Sequence, residues 1–427
     1  MKRSYQLTLV IVLMVVSFGV SGCGQLAVSN GAGLSEERLE RIGTVINDYI
    51  DNDGVAGASA LIYRNGEIGY FKTFGMQDIE GKVFMSKDTI FRIYSMTKPI
   101  TSTAVMMLYE EGHFFLNDPV SKYLPELQGL KVGVESVDPA TGETLFTTVK
   151  ANREVTIRDL LRHTSGMTYG FFAWSKVDAL YREANVLGDD EKTIADTVAK
   201  LCKLPLKHQP GTTWEYGVST DVLGRLVEVV SRMPLDEFLK TRIFDPLGME
   251  DTGFNVPPEK ADRFAAIYSL DDNKQIYPAK PGVSRDYMTP TTHFSGGGGL
   301  VSTQKDYLTF CKMILNDGTL NGVSLLSPKS VELMTGDHIE KMNKACKGSW
   351  VKIREAGFGL GFRVNNGPNL LGQLGSKGTA SWAGAASTNF VIDFEEEMIV
   401  IYMSQVKPAN HTLGYKVEGL AYQAIMD

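Results

Sequence analysis

The sequence is poor in cysteine and histidine, and it has no basic tract. Of its 427 residues, four are cysteine and six are histidine. Beyond Cys23 only Cys202, Cys311 and Cys346 remain. An odd number without close spacing describes neither a disulfide framework nor a zinc site. The histidines include no H-E-x-x-H, so no metal centre is expected. Lys and Arg total 43 against 50 Asp and Glu, a formal charge of −7. Without Lys- or Arg-rich runs there is no footprint for nucleic acid, and the acidic balance reads as solubility. The glycines at 296–299 do not complete G-x-G-x-x-G, because position 301 is Val. They read as a tight turn rather than a phosphate cradle, and nothing calls for an organic cofactor. The G-x-S-x-G of an α/β-hydrolase elbow is missing as well.

Long hydrophobic runs are scarce too. One stands out, at residues 7–16 behind Met1-Lys2-Arg3. It has the length of an export signal and falls short of the ~20 residues that span a bilayer. It closes on Val20-Ser21-Gly22-Cys23, which resembles a lipoprotein signal-peptidase site. The expectation is a signal peptide over 1–22, a lipidated Cys23 and a small, polar tether over 23–34. That describes an exported protein of the bacterial cell envelope, touching membrane only through its lipid. Gly24, not Asp, follows the cysteine, which favours the outer membrane, facing the periplasm.

What is present is a patterned globular chain. Apolar residues at helical spacing behind Ser35 predict a helix over 35–50. Residues 58–63 and 68–74 read as strands joined by Asn65-Gly66, the strongest short hairpin signal. A second strand pair is predicted at 389–393 and 398–403, with a helix over 415–425. Between these ends, residues 156–162, 191–200, 220–231 and 234–244 read as helices. This predicts a sheet-containing domain in two pieces, 35–115 and 285–427, with a mostly helical domain, 116–284, between them.

The chemistry rests on S-x-x-K. On a helix, residues i and i+3 share a face, so a serine at the start and a lysine one turn later can share a hydrogen bond. Free N–H groups at the helix start would favour a developing oxyanion. The tetrapeptide occurs at Ser95/Lys98, Ser302/Lys305, Ser349/Lys352 and Ser404/Lys407. Only Ser95 opens a good helix, over 96–111, and Pro99 fits there only in the first turn. Ser302 reads as part of a cap before residues 306–314. Spacing and context alone leave Ser95 as either a nucleophile or a plain capping serine.

Longer stretches carry a resemblance. Phe91-Arg92-Ile93-Tyr94-Ser95-Met96-Thr97-Lys98-Pro99 is similar to the nucleophile segment of the β-lactamase-related serine hydrolases, a family holding class C β-lactamases, DD-peptidases and family VIII esterases. Asn117-Asp118-Pro119-Val120, Leu160-Leu161-Arg162-His163-Thr164-Ser165-Gly166, Trp214-Glu215-Tyr216, Asp245-Pro246-Leu247-Gly248-Met249 and Gly297-Gly298-Gly299-Leu300-Val301 follow in the family's order. The resemblance spans roughly residues 35 to 425.

It implies an α+β fold, an antiparallel sheet flanked by helices on both faces, with the active site in the cleft beside the helical region. Ser95 would be acylated, with Lys98 and Tyr216 moving protons. The backbone N–H groups of Ser95 and Ala385 would form the oxyanion hole. The family's K-T-G element aligns with Trp382-Ala383-Gly384, and the Asn of its Y-x-N element with Val218, for which Ser219 is a partial substitute. An indole cannot pair with the carboxylate of a β-lactam or a peptidoglycan stem, so neutral esters are favoured over anionic amides. The partner is a small-molecule ester or amide. A β-lactamase or D-amino-acid peptidase remains the rival, and a non-catalytic envelope scaffold the distant one. His163 reads as a turn residue, and Tyr94 and Trp174 as aromatic packing.

Overall fold

The computed structural model describes residues 31–186, 188, 192–344, 356–367 and 373–427. The signal-like run, Cys23, Cys346 and the Ser349/Lys352 pair lie outside these residues. Among the described residues no helix is long and apolar enough to cross a membrane.

One eight-stranded antiparallel sheet organises the molecule. Its strands are β1 (Gly57–Arg64), β2 (Glu67–Asp78), β3 (Val83–Phe84), β4 (Gly357–Phe358), β5 (Arg363–Val364), β6 (Ala380–Gly384), β7 (Thr388–Asp393) and β8 (Met398–Met403), in the spatial order β4-β5-β6-β7-β8-β1-β2-β3. The two ends of the chain therefore meet at β8–β1, with Leu61 opposite Ile401. The β1–β2 turn places Asn65 at φ 52° and Gly66 at φ 88°, the left-handed pair that a two-residue hairpin needs. Every residue of β1 and β8 is buried, as expected of central strands covered on both faces.

Alternation then assigns the layers. Ala58, Ala60, Ile62, Val400 and Tyr402 share a core with α1 (Glu36–Asp51) and α4 (Thr412–Gln423). Leu61, Ile399, Ile401 and Trp382 point the other way, into the large core around α2 (Thr97–Glu110) and α3 (Ser219–Ser231). This is the antiparallel sheet between helical layers that the sequence implied. Ser35 caps α1, accepting from the Arg38 N–H at 3.3 Å.

Several details differ from the sequence expectation. Residues 31–34, assigned to the tether, are docked: Ala32 and Leu34 are buried, and Leu34 bridges Ile425. Thr303, not Ser302, caps the helix Gln304–Leu315, and Ser302 sits in a short strand paired with Phe91. The middle of the chain has its helices, at Ile157–Leu161, Ile194–Leu201, Ser219–Ser231 and Leu235–Leu239. It also contains an unforeseen hairpin, Lys131–Val137 against Thr144–Lys150. Its outer strand is exposed at every position, and TLFTTVK lacks the clean apolar/polar alternation that would have announced it.

Candidate active site

The site is built where the start of α2, the loop before α3 and the end of β6 converge. Residues 94–96 form a tight turn that runs directly into α2, and Pro99 falls in the first helical turn. Tyr94, just before Ser95, is held at φ 42°, a conformation costly for a residue with a Cβ. Anchors on both sides hold it there, beginning with the Ile93 N–H, which donates to the Leu300 carbonyl at 3.1 Å. The Tyr307 hydroxyl donates to the Met96 carbonyl at 2.9 Å, and the Leu300 N–H donates to Thr97 Oγ1 at 3.1 Å.

Lys98 lies one turn past Ser95 and is 1% exposed. Its three ammonium donors have three oxygen acceptors. These are Ser95 Oγ at 3.2 Å, the Tyr169 hydroxyl at 2.9 Å and the Gly297 carbonyl at 2.5 Å. Three acceptors satisfy a buried ammonium without a counter-charge. Among the described residues no carboxylate forms an ion pair with it. The Tyr216 hydroxyl donates to Ser95 Oγ at 2.7 Å. The structure thus brings Ser95, Lys98 and Tyr216 into one hydrogen-bonded group from positions up to 121 residues apart.

Tyr169 is the residue that sequence reasoning missed. Burial, followed by the nearby Tyr216 and Asp221, pushes its hydroxyl well above the ordinary tyrosine range, so it stays protonated and neutral. The signal was faint, a single tyrosine three residues past the Gly166 of the HTSG turn. The glycine tract also proves to be part of the site. Asp221 accepts from the Gly297 N–H at 3.0 Å and from Ser295 Oγ at 2.5 Å, which aims the Gly297 carbonyl at Lys98. A Cβ on Gly297 would lie 2.4 Å from the Asp221 carboxylate, which is why glycine stands there.

His163 supports Tyr216 rather than Ser95. It is buried at φ 55°, its carbonyl accepts from the Glu215 N–H at 2.8 Å, and its ring stands edge-on to Tyr216 at 5.0 Å. Burial, aided by the Lys98 charge, holds its imidazole well below the usual range. A neutral ring in an aromatic nest fits the turn role.

On the sheet side, a Cβ on Gly384 would meet the Ile93 carbonyl at 2.4 Å. Glycine lets the end of β6 press against the segment carrying Ser95. Trp382 is buried, with Tyr216 at 5.3 Å and Phe358 at 5.2 Å, both edge-on. Ala383, the next residue of the strand, is buried as well.

Two expected pocket residues are placed elsewhere. Val218 is fully buried at the start of α3, and Ser219, also fully buried, shares a 2.8 Å hydrogen bond with Ser165. Neither can reach a substrate, because the turn needed to present Tyr216 sends the next residues into the core. Trp174, expected in a core, is 85% exposed.

A family model described as Beta-lactamase matches residues 42–423. An uncharacterised protein of Mycobacterium tuberculosis is 37% identical over 371 residues, covering 85% of this chain and 89% of its own length. Esterase EstB of Burkholderia gladioli is 28% identical over 375 residues, 83% of this chain and 86% of the esterase. Proteins named for D-alanyl-D-alanine carboxypeptidase also match. Among solved structures, EstCE1, a hydrolase with promiscuous acyltransferase activity, superposes with a TM-score of 0.74 at 24% identity, over 90% of this chain and 99% of that one. At that identity the likeness is one of fold.

Proposed function

The chain belongs to the β-lactamase family of serine hydrolases, and from that premise we propose that it is a carboxylesterase acting on small neutral esters through a Ser95 acyl-enzyme. The observation that carries the ester preference is Trp382. The position that would hold a carboxylate-binding lysine carries an indole packed edge-on against Tyr216 and Phe358. A carboxylate brought there would lose its hydration and gain no cation from that side chain. Neutral esters meet no such penalty.

In this reading Lys98 reacts as its neutral amine: Ser95 Oγ attacks the ester carbonyl while its proton passes to the Nζ lone pair 3.2 Å away. The Lys98 ammonium so formed later restores the proton that Tyr216, 2.7 Å from Oγ, gives to the leaving group. The N–H groups of Ser95 and Ala385 receive the oxyanion, held in place by the close approach at Gly384. Tyr216 returns a proton to the departing alkoxide, and water then hydrolyses the acyl-enzyme by the same path. Tyr169 and the Gly297 carbonyl act as positioning groups that fix the Lys98 amine.

A substrate panel tests the reading. The purified protein should hydrolyse p-nitrophenyl butyrate well above nitrocefin and D-Ala-D-Ala peptides. Hydrolysis of benzylpenicillin or a D-Ala-D-Ala peptide at an equal or higher kcat/KM would favour the β-lactamase or peptidase reading instead. The leader pattern supports a second, independent proposal, that the mature chain begins at a lipidated Cys23 in the envelope. Intact mass of envelope-extracted protein checks it, and an unmodified N-terminus at another residue would defeat it.

A further inference from the structure

Next to Tyr216 lies an aromatic segment that is open to water. The ring of Tyr169 stacks on Phe171 with centroids 5.2 Å apart and planes at 22°. Phe171 meets Phe172 at 4.5 Å, and Phe172 meets Tyr216 at 5.7 Å. These rings form one cluster with Tyr216, in which Phe171 is the exposed member. Phe171 is 54% exposed and Trp174 85%. Large aromatic side chains left in water beside a reactive group forgo burial that folding would otherwise use, and such surfaces mark binding sites.

The segment is also held in place. The Arg182 guanidinium donates to the carbonyls of Gly170 and Ala173, the latter at 3.2 Å, and lies over the Trp174 ring at 4.6 Å. Thr168 Oγ1 donates to Asp178 at 2.8 Å, and Ser175 opens the next helix with a capping box to the same Asp178. The exposed rings are therefore presented at fixed positions, the condition under which stacking contributes most, since little side-chain freedom remains to be lost.

We propose that Phe171 and Trp174 form the subsite for the alcohol portion of the ester, and that it takes alcohols bearing an aromatic or extended apolar group. This rests on the reading of Tyr216 as proton donor to the leaving alkoxide. That oxygen must come within hydrogen-bond reach of the Tyr216 hydroxyl. The group attached to it then meets the neighbouring rings of Phe172 and Phe171, with Trp174 three residues further along the same anchored segment.

The test compares benzyl acetate with ethyl acetate, which share an acyl group and release alcohols of similar basicity. In Phe171→Ala the ratio of kcat/KM for benzyl to ethyl acetate should fall about three- to ten-fold, mostly through KM, the scale of one aromatic pair. In Trp174→Ala the ratio for 4-phenylbutyl to ethyl acetate should fall about two- to five-fold. Trp174 lies outside the ring pairs of Tyr169 and Tyr216, so this variant separates stacking from disturbance of the reacting groups. A ratio unchanged within two-fold in both variants overturns the subsite, while Ser95-dependent turnover of ethyl acetate leaves the hydrolase reading standing. A wild-type protein that cleaves none of these esters overturns the ester reading, and the subsite with it.

Discussion

The Tyr169 hydroxyl lies 2.9 Å from Nζ of Lys98, on an amine that also reaches Ser95 Oγ at 3.2 Å. It ties the proton-transfer group to a loop far from the nucleophile in sequence. Tyr169→Phe removes this oxygen and keeps the ring that stacks on Phe171 and meets Tyr216. Turnover of p-nitrophenyl butyrate should drop about ten- to a hundred-fold in kcat, with KM changed less, because only the positioning of the amine is lost. A thermal melt close to wild type would show that packing is intact. An unchanged kcat would remove Tyr169 from the proton-transfer group.

Labelling should be confined to one serine. Ser302 and Ser404 are fully buried, with Ser302 sharing a 2.8 Å hydrogen bond with Thr252 and Ser404 donating to the Ser387 carbonyl at 3.3 Å. A fluorophosphonate should modify Ser95 stoichiometrically. Ser95→Ala should lose both the label and turnover, by many powers of ten. Peptide mapping that finds the adduct on another serine would identify a different nucleophile.

Trp382→Lys tests the ester preference and carries a structural cost. The indole packs on Tyr216 and Phe358, so the variant should lose about 2–4 kcal/mol of stability, read as a lower denaturation midpoint. Where it remains folded, KM for carboxylate-bearing β-lactams should improve and ester hydrolysis should fall or stay level. Adding Val218→Asn should not help, since that position is fully buried and a new amide there would cost about 1–3 kcal/mol. β-Lactam handling that gains nothing from Trp382→Lys would separate this residue from substrate class.

Two groups set opposite limits on stability against pH. Burial lowers the His411 imidazole to about 4, so the folded state resists a proton that the unfolded chain accepts at its ordinary value. Stability from this group is full above the ordinary histidine range and is lost as pH falls toward 4. Burial raises the Glu418 carboxyl to about 7; Asp393 adds to the rise and Arg363 opposes it. Stability from that group is full below the ordinary glutamate range and is lost as pH rises through 7. Glu418→Gln should therefore stabilise the protein at pH 8, by about 1–2 kcal/mol, and have little effect at pH 4. Chemical denaturation at the two pH values checks the sign. Equal effects at both would mean that Glu418 does not titrate in this way.

The sequence by itself determined what depends on near neighbours. The i, i+3 spacing of Ser95 and Lys98, the place of Pro99 and the Asn65-Gly66 hairpin all follow from local geometry, which a few residues fix. The central strands were legible because both faces are buried, leaving apolar runs that nothing else explains. Tyr216 was found through the family's resemblance rather than through its spacing.

Only the tertiary structure decided what depends on residues far apart in the chain. Tyr169 joins Lys98 across 71 positions, and the Gly297 carbonyl joins it across 199. No periodicity records such contacts, because each of these residues obeys its own loop's geometry. Ser219 looked available for a substrate and is instead sealed against Ser165, while Trp174 looked like core and stands in water. The direction in which a loop turns its side chains is set by the surfaces it packs on. Here those surfaces belong to the glycine tract, the end of β6 and the Arg182 anchor, which meet only once the chain has folded.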